Sequence, residues 1–173
     1  MLIVFILTKI GLNALKSIDM KKFHRILLAV DDSPCTAKIV NYTKEMFGEE
    51  EQISLALLTV IPPTSPATYG ADPLLGQQPI IVPEITEIQQ NTAEAYVAKI
   101  ATAFNSNFEL YTFTRMGNIK EEILLLANEW SADLIVMGSN GRSGFDHFIS
   151  GSVSESVIRK ATCPVLVVPI HCS

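Results

Sequence analysis

Gly138, Gly141, Gly151 and Ser152 are spaced G-x2-G-x9-G-S, and this is the stretch whose residue types could do chemistry. An apolar run, Leu134 to Met137, leads straight into it. Glycines carry no Cβ, so the backbone can turn through positive φ and a ligand can approach the amides closely. If Gly151 and Ser152 open a helix, its free N–H groups and the positive end of its dipole face the same loop. The Ser152 and Ser154 hydroxyls then add donors. A strand, spaced glycines and a helix start together make an anion cradle, and phosphate is the anion that suits it. The plainer alternative, a glycine loop that only turns the chain, has the same spacing.

Other elements must hold that loop in place. Phe23 to Val30 reads as a buried strand running into Asp31-Asp32-Ser33-Pro34, where Ser33 can cap a helix and Pro34 fits its first position. That helix carries Ala37, Val40, Lys44 and Phe47 and stops at Gly48, expected as a left-handed cap. Gln52 to Ile61 is the second strand, ending at Pro62-Pro63. Residues Pro62 to Pro83 hold six of the nine prolines and read as a long loop over the strand ends. Glu84 to Phe104 is helical in pattern, and Phe108 to Met116 is a strand nearer an edge. Asn118 with Glu121 fits a capping pair for the next helix, in which Trp130 is a packing anchor. The strand before the glycines, a helix from Ser152 to Lys160 and a last strand, Pro164 to Pro169, complete a βαβαβαβαβ order. Right-handed crossovers turn that order into a parallel sheet with helices on both faces. Ligands bind outside the carboxyl ends of such strands where the winding reverses, so Asp31 and Gly138 are expected to be neighbours across one crevice.

Composition narrows the function classes. The chain of 173 residues has 48% hydrophobic and 18% charged residues, which describes a compact fold with no need of a staple. A formal net charge of −5 with scattered Lys and Arg argues against duplex binding, which needs a clustered basic surface. Residues 21–173 read as a single domain. For residues 1–20 two readings stand: an amphipathic helix with Ile3, Ile6, Leu7, Ile10, Ala14 and Ile18 on one side, or an appended leader. The apolar run from Met1 to Leu7 is too short to span a bilayer, which takes about 20 residues. Cys35, Cys163 and Cys172 show no zinc-type spacing and read as reduced thiols in a cytosolic compartment, with Cys163 in packing.

From Phe23 to Pro169 the sequence resembles the universal stress protein family. The likeness rests on ILLAVDDSP near the start, GSNGRSGFDHFISGSVSESVIRKATCPVLVV near the end and the βαβ order between them. It implies an α/β fold, an open five-stranded parallel sheet of order 3-2-1-4-5 with helices on both faces. It also implies ATP binding with Mg²⁺ (or Mn²⁺), a role in stress response or signalling, a cytoplasmic location and a homodimer formed through the last strand. Carried over by position, Asp31 approaches the nucleoside or its metal, and the backbone of Val60 reads the adenine edge. Gly138 lies by the ribose, and Gly141, Gly151, Ser152, Val153 and Ser154 contact phosphates. Ala29, Met137, Asn140 and Arg142 complete the binding set, with Ser143 beside Arg142 in the loop. Two positions depart from the pattern: Asn140 stands where histidine is common, and Asp32 where glycine is common, adding negative charge near a polyphosphate.

Two rival classes remain. A weak ATPase or an autophosphotransferase would need a phosphate loop of the G-x4-G-K-[ST] kind or a lysine beside the glycines, and the chain has neither. Of the three histidines only His147 is placed where it could approach a phosphate, and as a lone loop histidine it reads rather as a solvated side chain. A non-nucleotide-binding interaction protein would not need the glycine spacing at all.

Overall fold

The computed structural model describes residues 4–6, 23–50, 52–63, 83–104, 107–140 and 152–170. Strand β2 (Arg25–Ala29) forms where the apolar run begins, and Ile26, Leu27 and Leu28 are fully buried, as a strand covered on both faces requires. It is followed by α1 (Thr36–Phe47), β3 (Ile53–Ile61), α2 (Pro83–Ala101), β4 (Phe108–Met116) and α3 (Ile119–Glu129). Strand β5 (Leu134–Asn140), α4 (Ser152–Lys160) and β6 (Val165–Ile170) complete the expected alternation. A short strand β1 (Val4–Ile6) precedes them all.

The sheet is parallel and runs β1-β6-β5-β2-β3-β4. Numbered from β2, the five expected strands take the order 3-2-1-4-5, and β1 adds a sixth. Its register, Val4↔Val165 to Ile6↔Val167, lies against the outer side of β6, so the last strand is not the sheet edge along those residues. Val4 to Ile6 are extended and not part of an amphipathic helix; the rest of that expected helix lies outside the described residues, as does the proline-rich loop from 64 to 82.

Side chains alternate between two apolar layers. Leu28, Leu55, Leu57, Val136, Leu166 and Val168 meet Ile39, Val40 and Phe47 of α1 and Val97 of α2. On the other face Leu27, Ala56, Leu58, Ile135 and Val167 meet Ile123, Leu126 and Ala127 of α3 and Val157 of α4. Each of the valine, leucine, isoleucine and phenylalanine side chains contributes about 1.5–3 kcal/mol on burial, so these layers hold the strand ends in place.

The amino ends of the strands are pinned by polar contacts. The Asp133 carboxylate accepts the His24 N–H at 2.9 Å and the Arg25 N–H at 3.1 Å, while the Asp133 N–H returns to the Arg25 carbonyl at 2.9 Å. Arg25 donates from Nε to the Trp130 carbonyl at 2.9 Å and lies 4.4 Å from the Trp130 ring centroid. Trp130 also packs edge-on against Tyr111. These contacts make Trp130 the anchor expected of it.

Two local expectations are corrected. Gly48 is the C-cap of α1, but at φ −69° it is right-handed. Glycine is needed there because a Cβ would sit 2.4 Å from the Lys44 carbonyl oxygen. Asn118 is the N-cap of α3 without a side-chain cap bond, so the Asn118–Glu121 pair does not form a capping box.

Candidate functional site

The crevice arises where the sheet changes winding direction. Pairing of β2 with β5 ends at Leu28↔Val136, whereas β5 continues along β6 to Asn140↔Ile170. On the other side β2 pairs with β3 as far as Ala29↔Leu58, extended by the Val30 N–H bond to the Leu58 carbonyl at 2.9 Å. Strand β3 runs on through Val60 to Ile61 beside β4. The central strand is therefore the shortest at this end, and its neighbours rise past it. The gap is bordered by Asp31 after β2, by Val60 on β3 and by Met137 to Asn140 on β5.

Gly138 is a correction. The sequence break was expected at this glycine, but Gly138, Ser139 and Asn140 remain in β5, paired with Val168, Pro169 and Ile170. The ladder to β6 supplies backbone partners that a change in residue type does not reveal.

Asp31 is held by its own turn. Its Oδ1 accepts the Ser33 hydroxyl at 2.6 Å, the Ser33 N–H at 3.3 Å and the Thr36 hydroxyl at 3.0 Å. Its backbone carbonyl accepts the Thr36 hydroxyl at 2.5 Å and, from α2, the Tyr96 hydroxyl. This differs from the expected cap: α1 begins at Thr36 with Cys35 as N-cap, and Ser33 and Pro34 lie in the turn before it. The acidic side chain, which accepts from residues ahead of it as Asx turns do, organises the helix start in place of Ser33. Among the described residues no donor reaches Asp31 Oδ2, which leaves a hard oxygen of the kind Mg²⁺ prefers at the exposed rim.

Thr36 and Tyr96 are the site residues that sequence reasoning missed. Asp31 followed by Ser33 is a recognisable Asx-turn signal, and it could have drawn attention to the next hydroxyl, Thr36. Tyr96 gave no local sign, since it comes from a helix sixty-five positions away. Burial, with the charges of Asp31 and Asp32, raises the Tyr96 pKa above its usual value against the opposing effect of Thr36.

Four of the expected site residues converge on one apolar layer. Met137 is buried there, and Ala29, Val60 and Val153 pack against the same cluster, on the α3 and α4 side of the sheet. Ser152 is the first residue of α4 and exposed, while Ser154 is buried. Gly141, Arg142, Ser143 and Gly151 lie outside the described residues, as does His147. His24 stands at the amino end of the sheet, away from the crevice. Among the described residues no three His, Cys, Asp or Glu side chains gather in a metal-binding group. Cys163 is free, whereas Cys35 is disulfide-bonded, which corrects the expectation of reduced thiols for Cys35.

A doubly wound parallel α/β sheet, with a polar turn and a helix start on either side of its carboxyl-end crevice, defines the class of open, Rossmann-like α/β folds. Within that class the chain belongs to the universal stress protein family, whose model matches residues 22–169. Universal stress protein YxiE of Bacillus subtilis is 29% identical over 147 residues, covering 84% of this chain and 99% of the relative. The solved structure of MJ0577, a protein of Methanocaldococcus jannaschii described as hypothetical, is similar with a TM-score of 0.68 at 24% identity, over 87% of this chain and 99% of that one. A universal stress protein in complex with cAMP gives a TM-score of 0.57 at 19% identity, over 87% of this chain and 98% of that one. At these identities the structural likeness speaks to the fold. Among the described residues no helix is long and apolar enough to cross a membrane.

Proposed function

We propose that this universal stress protein binds ATP with Mg²⁺ in the crevice between β2 and β5 and acts as a nucleotide-dependent stress-response or signalling module. The observation that carries the reading is the G-x2-G-x9-G-S spacing starting on β5, at the point where β2 and β5 part and α4 begins. In this reading the apolar wall of Ala29, Val60, Met137 and Val153 receives the nucleoside. The head of α4, with Ser152 and Ser154, faces the phosphates, and on their spacing alone Gly141, Arg142 and Gly151 join them. Asp31, its Oδ1 tied down, offers Oδ2 to a ribose hydroxyl or to the metal. Mg²⁺ would offset the charge of Asp32 beside a polyphosphate. A structural neighbour that is a complex with cAMP, an adenine nucleotide, supports the class of ligand.

The proposal places the protein in the cytoplasm as a homodimer. A second copy would meet the sheet at the edge shared by β1 and the end of β6, where unpaired strand groups favour association. Native mass spectrometry of the purified chain tests both parts in one spectrum. The expected species is a dimer carrying adenine nucleotide after incubation with Mg²⁺ and ATP. A bare monomer at high protein and millimolar ATP would overturn the reading.

A further inference from the structure

Strand β4 ends the sheet on the side opposite β1 and β6, and among the described residues no strand pairs with its outer side. The N–H and carbonyl of successive strand residues point alternately to the two neighbours. In β3 the Ser54 N–H and the Leu58 carbonyl turn to β2, so the odd-numbered residues from Ile53 to Ile61 turn to β4. The Gly117 N–H bonds the Ile61 carbonyl at 3.0 Å, beside the pair Ile61↔Met116, which places Glu109, Tyr111, Phe113 and Arg115 in the same ladder. Phe108, Leu110, Thr112, Thr114 and Met116 therefore direct their N–H and carbonyl groups out of the sheet. Glu109, Tyr111, Thr112 and Met116 are exposed.

Thr112 is the midpoint of β4, and the residues on either side of it complement one another. When two β4 strands pair antiparallel about Thr112, Glu109 of one copy stands opposite Arg115 of the other and Tyr111 opposite Phe113, each twice by symmetry. These pairs fall at the non-hydrogen-bonded positions, where side chains approach most closely, and opposite charges and aromatic pairs stabilise there. The outward groups of Thr112, and of Leu110 with Thr114, meet at the hydrogen-bonded positions. Sliding by two residues, the smallest step that keeps outward groups facing, sets Glu109 opposite Phe113 or Gly117 and loses both charge pairs. The paired side chains share the α3 face: Tyr111 lies against Trp130, Phe113 packs in that apolar layer, and Arg115 bonds Glu129 at 2.7 Å through one nitrogen only. Glu109 lies beside them, accepting the Tyr111 hydroxyl at 2.7 Å. We propose that β4 is a docking strip for a second copy of this chain, joined through a two-fold axis at Thr112 into one continuous sheet. It is independent of nucleotide binding and of any contact at the β6 edge.

Hydrogen–deuterium exchange of the full chain, read over Phe108 to Met116 and paired with sedimentation from about 1 μM to about 500 μM protein, provides the test. Mass should rise with concentration, and exchange at the outward amides of Leu110, Thr112 and Thr114 should slow in step with it. Thr112→Pro removes an N–H that β3 does not use, and should abolish the slowing at Leu110 and Thr114. Arg115→Glu and Glu109→Arg each set like charges opposite one another at both symmetric positions and should weaken this association at least about tenfold. The double reversal should restore it to within about threefold of wild type. A wild type that stays monomeric throughout, or a rise in mass without slower exchange at these amides, would overturn the proposal. So would unchanged association in Thr112→Pro, amides already slow in the monomer because another part of the chain covers them, or a folded double reversal no better than the singles.

Discussion

Removing the hydroxyls that converge on Asp31 gives a worked test of how the site is held. Thr36 has one hydroxyl proton, shared between the Asp31 carbonyl at 2.5 Å and Oδ1 at 3.0 Å, so Thr36→Val deletes one hydrogen bond. Tyr96→Phe deletes the second donor to the same carbonyl. Each single change should cost about 1 kcal/mol, because the carbonyl keeps one donor. The double variant leaves it with neither. Stranding a buried acceptor costs about 1–3 kcal/mol beyond the bonds themselves, and the exposure of Asp31 puts the expected value at the low end. The sum is about 3 kcal/mol, with a coupling of about 1 kcal/mol between two residues on different helices. At about 2–4 °C per kcal/mol, Tm should fall by about 3 °C in each single variant and about 9 °C in the double. Trp130, the one tryptophan of the chain, reports unfolding in urea or heat. Strictly additive singles, or singles within about 0.3 kcal/mol of wild type, would refute the shared-carbonyl arrangement.

Two further outcomes follow from single side chains. Among the described residues the buried Thr114 hydroxyl on β4 meets no hydrogen-bond partner, so Thr114→Val should stabilise the fold by up to about 1 kcal/mol; a loss of stability in urea would mean that the hydroxyl is satisfied. Burial raises the Tyr96 pKa, and the hydrogen bond to Glu109 raises that of Tyr111. A phenol whose folded pKa lies above its unfolded value contributes stability that is complete below pH about 10 and is lost as pH rises through the folded pKa. Phenolate absorbance of the native chain should therefore lag that of the unfolded chain, and Tyr96→Phe should remove one late step; coincident curves would contradict this.

Much of the fold was legible because buried parallel strands leave a strong mark. The runs ILLAV, ISLALLTVI and LIVM have few polar residues, and only strands covered on both faces tolerate that. The alternation of strands and helices then implied a parallel sheet with Asp31 and the glycine segment at one end, while the order of the five strands came from the family resemblance. What was not legible depended on partners far away in sequence. Gly138 stays in β5 because β6 lies beside it, and Tyr96 reaches Asp31 across the sheet top. Val4 to Ile6 looked helical because apolar positions recur at three and four, whereas an open edge of β6 draws them into a strand. Gly48 was read as left-handed from residue type, although its role is close approach to Lys44.

Calorimetric titration of the reduced full chain with Mg²⁺ and ATP tests the central claim most directly. The account predicts saturable binding at one site per chain, abolished in Gly151→Val by a branched side chain set against the phosphates. No binding heat at millimolar ATP, or unchanged affinity in a folded Gly151→Val variant, would contradict it.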